Sequence, residues 1–296
     1  MPAPRYADQA AACVAAFARE HGLAVSVPRV LAHWSNVLVH LAPLPIVARV
    51  AATTALIRPD VLQRLAREVS LAAFLDDGGI DVVPPSGLLP PGPHSRDGFV
   101  FSFWQWVDVV DEPPTPEEMA PRLRRLHEAL VAYRGELPGF DRLIGEIGDW
   151  IATARDKTIL NAGDADMLAA AHGEVIDWFA RHGFPAQALH GDAQGPNLLR
   201  TRDGRLLWND FEDACCGPIE WDLTCFARRM PGGPEAALRL YPGAPSWPSL
   251  APFLAVRQLQ GSVWYAVLAS QGLADLDGAT QRIGAWRDWP GMPAIA

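Results

Sequence analysis

The sequence predicts an α+β protein in two lobes, the first β-rich and the second mostly helical. Short β-prone runs crowd the first third of the chain. Helical apolar periodicity dominates beyond it. Between the two lies an acidic, proline-rich stretch, Asp108 to Pro116, of the composition expected of a linker. The 296 residues exceed one average domain, and 49% apolar against 20% charged residues is enough for a sizeable core. The expected division is 1–107 and 108–296, with a site between the halves.

A first amphipathic helix is expected over Ala7–Glu20. Its apolar stretch Ala10–Ala18 is flanked by Asp8 and by Arg19-Glu20-His21 without a small-residue cleavage site, which argues against a secretion signal. Three β runs follow, Val25–Ala32, Val37–Leu41 and Ile46–Val50, separated by His33-Trp34-Ser35-Asn36 and the Pro43/Pro45 pair. Pro59 opens a helix from about Asp60 to Leu75, ended by Asp77-Gly78-Gly79. Ile80–Val83, a Pro/Gly-rich loop over 84–98 and a strand at Gly98–Val107 complete the first half. The second half reads as helices at Glu117–Val131, Phe140–Ala154 and Asp164–His182. A strand at Ala186–Leu189 and a hairpin of Leu198–Arg200 with Leu206–Trp208 around Asp203-Gly204 come next. Helices at Ile219–Arg229, Pro234–Tyr241 and Leu250–Ser270 fill the rest.

Net charge is −9, which argues against nucleic-acid binding through bulk charge. It favours neutral or cationic small partners, and Glu112, Glu117, Glu118, Glu212, Asp213 and Glu220 could attract a cation or simply form a solvated face. No uncharged apolar run reaches membrane-spanning length. Cys13, Cys215, Cys216 and Cys225 fit no zinc spacing and read as reduced core thiols of a cytoplasmic protein. Of the 25 lysines and arginines, one alone, Lys157, is lysine.

Chemistry concentrates in residues 188–226, ALHGDAQGPNLLRTRDGRLLWNDFEDACCGPIEWDLTCF. A loop after a strand can aim Asp192 at a substrate hydroxyl. The turn through Gly195-Pro196 returns Asn197 beside it, and the hairpin brings Asp210 to face both. One carboxylate can then accept a proton, while a second carboxylate and an amide oxygen suit Mg²⁺, a hard cation that keeps several waters. Phosphoryl transfer asks little more of a protein than metal charge, alignment and a base near the nucleophile.

HGDAQGPN followed by NDFE and EWDLT resembles the aminoglycoside phosphotransferase and choline-kinase-like family of small-molecule kinases, which share the bilobal protein-kinase-like fold. Leu126-His127 and Ser35-Asn36 add to the likeness. The resemblance implies Asp192 as catalytic base, Asn197 and Asp210 as Mg²⁺ ligands, Asp222 as a brace accepting backbone N–H groups of the catalytic loop, and His190 as a structural packer. It implies Gln105-Trp106-Val107 as the hinge for adenine and ATP or GTP as donor; Trp104 and Trp106 could line the adenine cleft, although a strand buried on both faces would look the same.

The chain departs from the usual pattern in three ways. No lysine precedes Lys157, so Arg49 stands at the phosphate-contacting strand position, with Glu68 as its natural partner. Arginine binds phosphate bidentately and stays charged. No GxGxxG is present, which leaves the turn His33–Asn36, with Ser35 and Asn36, to cover the nucleotide. Asn209 occupies a position that is usually apolar.

Simpler readings compete. Asp222 could open a helix after Pro218, Arg49 could be a strand-edge charge, and Glu68 could pair with Arg64 at i,i+4. Ser35-Asn36 could be a plain turn. The functional expectation is an ATP- or GTP-dependent phosphotransferase acting on a hydroxyl of a small molecule. The alternatives are a catalytically silent nucleotide-binding module, and a metal-dependent phosphohydrolase using His190, Asp192 and Asp210.

Overall fold

The computed structural model describes residues 3–293. Helix α1 (Ala3–Glu20) lies against an antiparallel sheet built from β1 (Arg29–His33), β2 (Asn36–His40), β3 (Ile46–Ala51), β4 (His94–Arg96) and β5 (Phe99–Gln105), in the order β1-β2-β3-β5-β4. The period-2 alternation of strands explains the packing. Val37, Val39, Ala48, Val50, Phe101 and Phe103 form one core with Ala10, Val14 and Ala18 of α1. Arg49, between Ala48 and Val50, therefore projects from the opposite face. There α3 (Val61–Asp77) packs, preceded by the one-turn α2 (Thr54–Ile57).

The second half begins with β6 (Val109–Val110) and α4 (Pro116–Leu130), whose N-terminus carries a complete capping box. The Thr115 hydroxyl accepts from Glu118 N–H at 3.3 Å, and the Glu118 carboxylate accepts from Thr115 N–H at 2.9 Å. Helices α5 (Phe140–Asp156) and α6 (Ala162–Ala180) pair. Then come β7 (Gln187–Leu189), β8 (Leu198–Thr201), β9 (Leu206–Trp208), β10 (Cys215–Gly217), α7 (Ile219–Ala227), α8 (Pro234–Leu238), α9 (Ala251–Ser270) and α10 (Leu276–Gly284). β7 pairs with β10, and β8 lies between β6 and β9. A second hydrophobic core joins α4 to α7 with α9, and it takes in Leu71, Ala72 and Leu75 of α3. Lys157 caps the exposed C-terminal end of α5.

The structure is the expected mixed α+β architecture, with these differences. Ile80–Val83 forms no strand; Val82 only bridges Trp208, which donates its N–H to Asp81 O and accepts from Val83 N–H, both at 2.9 Å. The first strand begins at Arg29 rather than Val25. β4 and β10 went unanticipated because His-Ser-Arg and Cys-Cys-Gly have no β pattern of their own, and pairing with β5 and β7 creates them. α10 was missed although Asp275 caps it, accepting from Gly278 N–H at 2.5 Å. Cys216 is exposed, on the outward position of β10, while Cys13, Cys215 and Cys225 are buried. Among the described residues no helix is long and apolar enough to cross a membrane.

Candidate active site

The loop after β7 is held from below by α7. Asp222, fully buried, accepts from His190 N–H on Oδ2 and from Gly191 N–H on Oδ1, each at 2.9 Å. His127 of α4 reaches the same Oδ2 through Nε2 at 3.1 Å and meets the Tyr241 hydroxyl on its other ring nitrogen. Trp221 Nε1 donates to Gly191 O at 2.6 Å. The loop approaches Asp213 so closely that Gly191, at φ 84°, has no room for a side chain. His190 accepts from Asp192 N–H on Nδ1, so Nε2 carries the proton and donates to Asn209 O at 3.1 Å. Its ring is buried between Phe211 and Trp208. That placement leaves no free nitrogen for a metal and removes the phosphohydrolase ligand set.

Asp192 reaches the cleft above this support. Asn197 Nδ2 donates to its main-chain O at 2.9 Å and to Oδ2 at 3.1 Å, and Gln194 Nε2 donates to Oδ2 at 2.9 Å. Arg257 of α9, half-buried, donates to Oδ1 at 2.5 Å. Asp210 follows the hairpin at φ 66°, a left-handed conformation that Asp adopts more readily than most residues. Asn209 N–H binds Asn197 O at 3.0 Å, which fixes the spacing between the two oxygen-bearing side chains.

Arg49 is the hub facing them. It is paired with Glu68, with Asp210 at 2.7 Å and with Glu212 at 2.6 Å. Arg64 does not engage Glu68; it binds Asp60 at 2.9 Å, Glu146, and Asp213 at 3.4 Å. Burial pushes the Glu68 carboxyl up to about 8 against the pull of Arg49. For Asp213 burial also acts upward, but Arg58 and Arg64 overcome it and hold the group below its ordinary range. Arg58 binds Glu212 at 3.0 Å and Asp213 at 2.8 Å, with the Trp150 and Trp264 rings 4.8 and 5.1 Å from its guanidinium carbon.

At the expected nucleotide-covering turn, Ser35 lines the cleft and its carbonyl is anchored by Ala52 N–H, Thr54 N–H and the Thr54 hydroxyl. Asn36 begins β2 and donates to Glu212 at 3.3 Å. At the expected hinge, Gln105 N–H already donates to Pro84 O and Trp106 N–H to Pro45 O. Of the three residues, Val107 alone has an N–H without a backbone partner among the described residues. Trp104 is buried with its indole N–H on Ser102, and Trp106 stacks on His40 at 4.1 Å, so neither ring lines the cleft.

Among the described residues no cluster of three His, Cys, Asp or Glu side chains could hold a metal by itself. Asp210 and the Asn197 amide oxygen fit Mg²⁺ as a sparse all-oxygen pair, the kind that binds it together with water and phosphate oxygens.

Ser35, Asp192, Asn197, Asp210 and Glu212 line a cleft of about 670 Å³, while Arg49, Glu68, Asn36 and the expected hinge residues stand outside its lining. Sequence reasoning missed Arg58, Arg64, Gln194, Arg228, Arg229, Arg257 and Arg282, all arginines or amides whose ordinary place is solvent. Of the acids that could attract a cation or form a solvated face, three are already engaged. Glu212 and Asp213 are paired with arginines, and Glu118 is held near 2 by Arg200 and its capping role.

The sequence profile of the phosphotransferase enzyme family, APH, matches residues 34–253. No curated relative matches in sequence. Among solved structures, choline kinase LicA from Streptococcus pneumoniae is 17% identical with a TM-score of 0.59, covering 93% of this chain and 97% of its own. The GDP and kanamycin complex of APH(2")-IIia is 17% identical with a TM-score of 0.63, over 93% and 96%. A microcompartment-associated aminopropanol kinase is 16% identical with a TM-score of 0.61, over 92% and 93%. At such identities these structures establish the protein-kinase-like fold, and the profile, spanning most of the chain, establishes the lineage: the protein belongs to the phosphotransferase enzyme family.

Proposed function

We propose that the protein transfers the γ-phosphoryl group of ATP or GTP to a hydroxyl of a small molecule, with residues 1–107 as nucleotide lobe and 108–296 as acceptor lobe. The observation that carries this reading is the convergence of Asp192, Asn197 and Asp210 on one cleft. A bond forms between the acceptor oxygen and the γ-phosphorus. The bond from that phosphorus to the β–γ bridging oxygen breaks, and its electron pair leaves on the nucleoside diphosphate. The hydroxyl proton passes to Asp192 Oδ1, which carries one donor, Arg257, against two on Oδ2.

Mg²⁺, when bound, supplies positive charge to the phosphate oxygens, and Asp210 and Asn197 would hold it. Release of Asp210 from Arg49 frees guanidinium N–H groups for a phosphate oxygen, while Glu68 keeps Arg49 aimed. Ser35 and Asn36 cover the phosphates. Val107 offers the N–H for adenine, with Gln105 and Trp106 shaping the hinge around it. His190 and Asp222 keep the loop rigid.

The test is nucleoside diphosphate release over a panel of hydroxylated acceptors, with nucleotide binding followed by calorimetry. Asp192→Ala is expected to lower kcat by about 10²- to 10⁴-fold, the usual contribution of a general base, while still binding nucleotide. Turnover near the wild-type level in that variant overturns the assignment. Nucleotide binding by the wild type with no turnover of any acceptor would favour the silent module instead.

A further inference from the structure

The acceptor side of the cleft has a charge opposite to the one the whole chain suggests. Beyond Asp192, its wall carries Arg228 and Arg229 after the end of α7, Arg257 on α9 and Arg282 on α10. Arg257 binds Asp192, the one carboxylate on this side that an arginine grips. Among the described residues the other three form no salt bridge. Arg228 donates from Nη2 to the neutral Gln194 Oε1 at 2.9 Å, and its Nε is buried without an acceptor. Arg282 lies over the Tyr265 ring, 4.4 Å from its centroid. Arg229 is exposed to the cleft.

Burial, then Arg257 and Arg229, bring the Arg228 guanidinium down to about 10. Burial, then Arg282 and Arg257, act downward on Arg229. These groups repel one another, and the nearby carboxylates, Asp192 for Arg228 and Arg229 and Asp275 for Arg282, act on them without forming a salt bridge among the described residues. By contrast, the cations on the nucleotide side are paired with carboxylates, Arg49 with Glu68, Asp210 and Glu212, and Arg58 with Glu212 and Asp213, although their Nε atoms too are buried without an acceptor. Trp264, Trp286 and Trp289 add apolar surface beside the unpaired arginines.

Resting on the phosphotransferase reading above, we propose that the acceptor is an anion: a hydroxyl-bearing small molecule with an apolar or aromatic body and a carboxylate or phosphate group gripped by Arg228, Arg229 and Arg282. Guanidinium forks bind both anions bidentately, and an anion placed there relieves a repulsion that a cationic acceptor would aggravate. The nucleotide does not account for these arginines, because its phosphates are served from the Arg49 and Asp210 side. The proposal departs from the neutral or cationic acceptor that net charge favours, because at the cleft Glu212 and Asp213 are already paired with arginines.

The experiment is calorimetry on the full chain saturated with MgADP, using matched probes: hydroxymethylbenzoate, hydroxymethylphenylphosphonate, hydroxymethylbenzylamine and kanamycin. At least one anionic probe is expected to bind tenfold or more tightly than the amine and kanamycin, and the tighter of the two anions identifies carboxylate or phosphate as the group. Arg229→Gln and Arg282→Gln, each at an exposed position and checked for folding by melting temperature, should each reduce that preference at least threefold. Equal or tighter binding of the amine or kanamycin, or no preference among the probes, overturns the proposal. So does a preference that survives both variants, or a variant that weakens MgADP instead. Failure of the wild type to bind MgADP at all would count against the phosphotransferase reading itself.

Discussion

Gly191 shows how a single residue fixes the loop that follows β7. A methyl group there would meet the Asp213 carbonyl oxygen at 1.8 Å, and the backbone sits at φ 84°. Backbone against backbone cannot yield as a flexible side chain would. Gly191→Ala is expected to destabilise the protein by more than about 2 kcal/mol, from strain and displacement together, and denaturant unfolding measures it. Glu68 makes a different prediction. Its native carboxyl is raised to about 8 by burial, above the ordinary 4.5, so the native state holds that proton more tightly than the unfolded chain. The stability it contributes is complete below about pH 4.5 and is lost as pH rises through about 8. Melting temperature should therefore fall between about pH 5 and about pH 8, and Glu68→Gln should flatten the decline; parallel slopes would refute the account. The residues legible in sequence are those set by short-range geometry: His190 to Asn197 form one loop, and Asp210 follows one hairpin. Arg257 lies 65 positions from Asp192, and no local pattern distinguishes it from an ordinary helical arginine at the surface.

Elements were readable where propensity and pairing agree. Helices α4 and α5 carry strong apolar stripes, and Thr115 with Glu118 spells the start of α4. Thr115→Ala should cost about 1 kcal/mol, measured by chemical unfolding, because one helix N–H loses its acceptor. The loss would be smaller if Glu118, also tied to Arg200 at 2.7 Å, kept the first turn in place. Elements that exist only through tertiary pairing were not readable. β4 and β10 are three-residue strands made by their partners, and Ile80–Val83, apolar enough for a strand, instead lies against Trp208 through two main-chain hydrogen bonds. The hinge shows the same limit. At the expected hinge, Gln105-Trp106-Val107, the capture of two N–H groups by Pro84 and Pro45 depends on loops that composition does not place.

Across the whole molecule, the two hydrophobic cores do not divide where the chain passes from strands to helices. α1 and the sheet form one core, while Leu71, Ala72 and Leu75 of α3 belong to the other. Arg49, rooted in the sheet, therefore grips Glu68 on a helix whose apolar side is committed to the opposite half. The net charge of −9 does not describe the cleft, because charge summed over a chain carries no address, and the cleft gathers arginines that the total conceals. The cationic groups at the site are all guanidiniums, which has a practical result. The lone ε-amine, Lys157, stands exposed at the far end of α5 and outside the cleft. Acylating reagents should modify a single side chain, as peptide mass mapping would register, and saturating MgATP should give it no protection. A fluorophore attached there would report on the molecule's tumbling and assembly while leaving the reaction chamber chemically untouched.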